Sequence, residues 1–224
     1  MTQTTFFSQA SAAQETTHDA YTSRDTDPTN NSWASFQNGA GTASVYNSTS
    51  LLARITSGSS AWVVFHRSQM VYDTSAIGTD DITAAKWECV ARGTSAVDDY
   101  TASVTLCASD PANDHYSVAA DYADIGGTKY SADLAIASQT HDNTTYTTFT
   151  MISAGIAAIN KTGITKLGII LKEDFDDDEP SEANVLYDQS SWNCWSTDET
   201  ESGERRPRLV VTHASAFTPK AIMF

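Results

Sequence analysis

Three stretches of this chain alternate apolar and polar side chains with a period of two. That alternation constrains the fold more than anything else in the sequence. In ITAAKWECV, Ala85, Trp87 and Cys89 share one face while Lys86 and Glu88 share the other. In YTASVTLC, Tyr100, Ala102, Val104 and Leu106 are the apolar set and Thr101, Ser103, Thr105 and Cys107 the polar one. In ITKLGIILKED, Leu167, Ile169 and Leu171 point one way and Lys166, Gly168 and Lys172 the other. Such a period places successive side chains on opposite faces of a strand, one buried and one wet. Short β-branched and aromatic runs recur between clusters of Gly, Asn, Asp, Ser and Pro, including LLARIT and AWVVFHRSQMVY, with no long βαβ pattern. The one helical candidate is SAGIAAINK, about two turns, stopped by Gly163. The fold class expected is all-β. It is a single antiparallel β-sandwich, jelly-roll-like, over residues 20–214, with an N-terminal arm at 1–19 and a short C-terminal tail at 215–224. The arm is polar and is expected to order only against a partner.

Length and charge narrow the function classes. A chain of 224 residues can bury one sizeable core, and a hydrophobic fraction of 40% suits a packed domain. The net charge of -15, from 28 acidic and 13 basic residues, repels phosphate backbones and argues against a nucleic-acid partner. No uncharged apolar run reaches the roughly 18 residues of a membrane span, so no membrane insertion is expected. The start, MTQTTFFSQASAAQETT, carries no basic segment followed by an apolar run, so synthesis without a secretion signal is expected. Three cysteines are too few for a disulfide scaffold. A hairpin centred near 95–96 would set Cys89 opposite about residue 102 rather than Cys107, so three free thiols are expected.

The stretch QMVYDTSAIGTDDITAAKWECV, residues 69–90, resembles the pattern L-x-F-D-x-S-x-I … I-T-x-A-x-L-x-L of the DNRLRE-type, disaggregatase-related β-sandwich domains. Similar jelly rolls occur in phage and archaeal-virus structural proteins. GERRPRLVVTHA looks like that group's last strand, and GITKLGIILKEDFDDDEP like its penultimate strand and acidic loop. The basic motif that names the family is not present as such; Arg67 and Ser68 sit near its expected place, and Trp87 and His213 replace the usual aliphatic residue and Tyr. The resemblance implies a non-enzymatic virion structural protein of a tailed phage or archaeal virus: a capsid decoration, head-fibre or tail-fibre component located in the virion. Its partners would be its own copies and other virion proteins, with host-surface glycans as a further class. The alternative is a carbohydrate-binding module or adhesin stabilised by calcium.

Candidate sites follow from local composition. EDFDDDEP offers Asp174, Asp176 and Asp178 as alternating carboxylates for calcium, although it lacks the Gly and Glu of an EF-hand; a solvated acidic turn is the plainer reading. SDPANDHY offers Asp110, Asn113 and Asp114, with an Asx-rich turn as the plainer reading. SSWNCWSTDE places Trp192 and Trp195 beside Asn193, a possible aromatic platform for a sugar face; the competing reading is core. Arg205, Arg206 and Arg208 could meet the acidic surface of a neighbouring copy, and Phe217 and Phe224 in the apolar tail could dock on it. The five histidines show no H-x-x-x-H or H-x-H spacing, and no G-x-S-x-G elbow is present.

Overall fold

A computed structural model describes residues 1–9, 17–25, 32–58, 62–92, 102–180, 189–198 and 205–215. Two antiparallel sheets form the body. The first has the order β1 (Thr2–Phe7), β13 (Arg208–Ala214), β6 (Asp81–Val90) and β10 (Tyr146–Thr150). The second runs β12 (Gln189–Trp195), β4 (Ser50–Ser57), β5 (Trp62–Asp73), β11 (Ile164–Leu171), β7 (Ser103–Ser109) and β8 (Ile125–Lys129). It also takes in β2 (Asp19–Asp25), β3 (Ala43–Val45) and β9 (Leu134–Ala135). The all-β sandwich read from the period-two pattern is the fold. The short helix expected at 153–161 is α2 (Ser153–Ala158), after α1 (Trp33–Asn38) and before α3 (Lys172–Asp176).

The alternation in β6 places Ala85, Trp87 and Cys89 between the sheets. Trp87 packs on Phe149 of β10, with ring centroids 5.3 Å apart, and on Trp192 of β12 at 6.4 Å. Its Nε1 donates to the Tyr72 hydroxyl of β5, across the layer, at 2.7 Å. Met70, Leu167 and Ile169 complete this inner layer from the second sheet, Leu209 and Val211 from the first.

One expectation is corrected. The second faces of β5, β7 and β11 are not wet. Cys107 and Ile170 form a satellite cluster with Ile125 under Phe175 of α3. Trp33 and Phe36 of α1 lie against Phe65, at 5.0 and 5.2 Å between ring centroids. Connections between strands have folded back over the outer face of the second sheet, so the polar positions of that alternation are interior. Thr105 and Gln69 are both fully buried.

The N-terminal arm takes the form of a strand. Thr2–Phe7 pairs with β13 from Thr2↔His213 to Phe7↔Arg208, so its ordering partner is the chain's own closing strand. The start of β2 at Asp19 marks the entry to the body. The tail residues 216–224, with Phe217 and Phe224, lie outside the described residues, as does the 93–101 connection between β6 and β7.

The family-like segment closes one end of the sandwich. Asp73 Oδ1 accepts from the Ser75 amide at 3.0 Å, and Gly78 continues the turn at φ 62, a region open to glycine. Ile77 is buried at the end of the core. The buried Thr74 hydroxyl lies 2.6 Å from the Asn160 carbonyl, 3.0 Å from the Gly163 carbonyl and 2.6 Å from the Thr165 hydroxyl. It therefore ties this turn to the entry of β11. Thr74→Val keeps the shape and strands those acceptors, so it should cost about 1–3 kcal/mol in urea unfolding. A loss within error of zero would show that the turn is held by its backbone alone.

Candidate functional site

The predicted sugar platform is not assembled. Trp192 is fully buried in the inner layer, where Nε1 donates to Gln139 Oε1 at 2.6 Å. Strand alternation places Asn193 and Trp195 on the opposite face of β12, where Trp195 is half-buried. Arg92 lies 4.2 Å from the centroid of the Trp195 ring, and Arg205 at 5.1 Å. A buried ring cannot stack on a ligand, so the competing reading of Trp192 as core holds.

The acidic run is corrected in the same way. Its first part is helical, as α3, and the carboxylates diverge. Asp174 points inward and grips Arg67, with both Nε–Oδ2 and Nη2–Oδ1 at 2.7 Å. Asp176 turns outward to Lys129 at 3.0 Å and Lys172 at 2.8 Å. Asp177 adopts a left-handed conformation at φ 56 to end the helix and accepts from Trp33 Nε1 at 2.8 Å. The Asp178 amide closes back on the Glu173 carbonyl at 3.0 Å. Asp174, Asp176 and Asp178 thus form no common coordination sphere, and among the described residues no three His, Cys, Asp or Glu side chains are grouped to hold a metal ion. In the second acidic cluster, Lys166 bridges Asp110 at 3.1 Å and Asp114 at 3.2 Å, while Asn113 Oδ1 accepts from the His115 amide.

Arg67, noted in the sequence only for lying near the place of the family's basic motif, is buried in the fold and bonded on several sides. Nη1 donates to the Tyr122 carbonyl at 3.0 Å and Nη2 to the Gln37 carbonyl at 2.9 Å, with the guanidinium 4.1 Å from the Tyr122 ring centroid. Burial pulls its proton affinity down, but Asp174 and Tyr122 together outweigh that and the net shift is upward. This pair forms the floor of a cleft of about 240 Å³ walled by Asn38, Gly126, Gly127 and Phe175. The fork geometry of guanidinium on carboxylate locks α1, α3 and the Ala119–Asp124 turn onto the outer face of the second sheet.

The arginine trio also acts within the chain. Arg208 Nε reaches Glu88 Oε2 at 2.8 Å and covers the Tyr146 ring at 3.8 Å. Arg206 lies 5.1 Å from the Phe7 ring centroid. Arg208 is therefore matched to its own Glu88 and is not the free cation expected for an acidic neighbour. Nearby, His213 Nδ1 is 2.7 Å from Asp80 Oδ2 and its Nε2 is 2.9 Å from the Thr4 hydroxyl. That line has the connectivity of a proton relay; in this fold it joins β1, β13 and the turn before β6.

A further group has no counterpart in the sequence reading. Asp19 is 2% exposed. Its Oδ2 accepts from the Thr197 amide at 2.7 Å, whereas Oδ1 has no hydrogen-bond partner. Burial first, and then the charge of Asp198, push its carboxyl up to about 7. Only burial could have flagged it, because one Asp between His18 and Ala20 carries no local pattern.

No protein-family model matches this chain, and no curated protein matches it.

Two predictions follow from the buried charges. Arg67→Met leaves Asp174 buried and unpaired and should cost about 3–5 kcal/mol in urea unfolding, and the added change Asp174→Leu should return much of it. Equal losses in the single and double variants would refute the assigned coupling. For Asp19, the folded carboxyl holds its proton more tightly than the ordinary value of 3.8. Its stabilising effect is complete below the unfolded value and is lost as pH rises toward about 7. In chelator-containing buffer, Asp19→Asn should therefore be more stable than the parent above that pH, by up to roughly 4 kcal/mol. The two should converge in acid; parallel pH profiles would contradict the assignment.

Proposed function

We propose that this chain is a non-enzymatic structural protein of a virion, a capsid decoration or a head- or tail-fibre component. It would assemble with its own copies and with other virion proteins, and without nucleic acid or membrane insertion. Its support begins with the resemblance. The segments that carry it lie at the β5–β6 connection, in β11 and α3, and in β13, the parts that build both layers.

The observation that carries the assembly reading is the outer edge of β1. This strand ends the first sheet, and among the described residues nothing pairs with that side. Its sequence, TQTTFF, has no charge in a chain of net charge -15, and Gln3, Thr5 and Phe7 are exposed. An open strand edge without Lys, Pro or a bulge is a template for pairing. Self-pairing through a two-fold axis puts the same uncharged residues opposite each other and avoids the acidic surfaces elsewhere. The carbohydrate-binding alternative keeps only Trp195 of its two rings, with Arg92 against it.

Sedimentation of the purified full chain should give a dimer or larger assembly. Gln3→Lys with Thr5→Lys should shift it to monomer with little change in melting temperature. A parent chain that is monomeric at all concentrations would count against the edge. Absence of the protein from purified particles, by mass spectrometry, would remove the virion reading itself.

A further inference from the structure

Most of the carboxylates placed above face a basic side chain. Asp174 has Arg67, Asp176 has Lys129 and Lys172, Asp110 and Asp114 have Lys166, Glu88 has Lys86 and Arg208, and Asp80 has His213. Asp19 is different. Among the described residues, the titratable groups coupled to it are Asp198, Tyr72 and Cys194, and none of the three is a base. It sits where the end of β1, the start of β2 and the end of β12 meet. Two hydroxyls meet at this junction: the Thr197 amide donates to Asp19 Oδ2, and the Thr197 hydroxyl is 2.6 Å from the hydroxyl of Ser8. Ser8 and Thr197 are both buried, at 1% and 3% exposure.

We propose that Asp19 and Asp198, with the hydroxyls of Ser8 and Thr197, form a binding site for a hard divalent cation of the calcium class. Each carboxylate can offer two oxygens and each hydroxyl one, which approaches the roughly six to eight oxygens that calcium takes. The buried, unpartnered Asp19 Oδ1 is the anchor, because a lone anionic oxygen in the interior is costly unless something positive meets it. Calcium suits the set better than softer metals, since every proposed donor is oxygen and two are anionic. Magnesium fits less well, because it holds an octahedral water shell that a site this closed would have to strip. The cation would clamp the N-terminal strand and β12 to the start of β2. The site differs from the acidic run at 173–179, where Asp174 is paired with Arg67 and Asp176 with Lys129 and Lys172, and it stands independently of the virion reading.

The test uses the full chain, stripped with chelator and held slightly above neutral pH. Calcium chloride should raise the melting temperature saturably, with one ion per chain by titration calorimetry. Magnesium chloride or sodium chloride at equal ionic strength should do much less. Asp19→Asn and, separately, Asp198→Asn should each weaken calcium binding by roughly tenfold or more, and each variant's own melting transition would establish that it is folded. Terbium luminescence excited through tryptophan gives a second readout on the same variants. No calcium response in the parent would overturn the proposal, leaving Asp19 neutralised by a proton. A response unchanged in both variants would overturn it as well, by placing the ion elsewhere.

Discussion

The hydrogen bond from Trp87 to Tyr72 joins the two sheets at the centre of the molecule, and much of the fold depends on it. An indole N–H buried between layers needs an acceptor. Here the acceptor comes from the opposite sheet, on the strand that immediately precedes β6 in the chain. The bond therefore sets β6 and β5 in one mutual position. A slip of one residue in either strand would turn its ring to the other face. Phe149 and Trp192 pack around the same indole, which draws the edge strands β10 and β12 into that arrangement.

A second constraint acts on the other side of the larger sheet. Helices α1 and α3 and the Ala119–Asp124 turn cover part of its outer face, so β5, β7 and β11 are largely buried on both sides. Polar residues placed there by strand alternation must be satisfied internally. Arg67 achieves this through Asp174 and two carbonyls. Gln69 Nε2 lies 3.3 Å from both His18 Nε2 and Asp121 Oδ2, and Asp121 in turn accepts from the amides of Ala112 and Val118. These ties hold long connections against a sheet without adding much apolar area. At the Asp19 junction that logic is incomplete, because the protein groups around it leave the buried Oδ1 without a hydrogen-bond partner.

The inner layer could be read from sequence because it depends on nearest neighbours along a strand. Ala85, Trp87 and Cys89, and Leu167, Ile169 and Leu171, face inward as the period of two requires. The start of the turn after Asp73 was readable for the same reason, since Asp73 bonds to the Ser75 amide two residues on, whereas the ties of Thr74 to Asn160, Gly163 and Thr165 were not. The acidic run misled because six acids in sequence look alike until a helix fans them out. Only then does Asp174 meet Arg67, 107 positions away. Trp192 and Trp195 look like a pair in sequence, yet one lies in the core and the other half-buried on the opposite face of β12.

What the sequence determined alone is the layer architecture, because alternation and turn chemistry are local and the chain repeats them at strand length. Tertiary structure decided which second faces become interior, which acids are matched by bases, and that the N-terminal arm returns to pair with the last strand. Those outcomes rest largely on contacts between residues far apart in the chain, such as Trp33 with Phe65, Arg67 with Asp174 and Thr2 with His213. Burial and charge pairing belong to such contacts, and no window of neighbouring residues contains them.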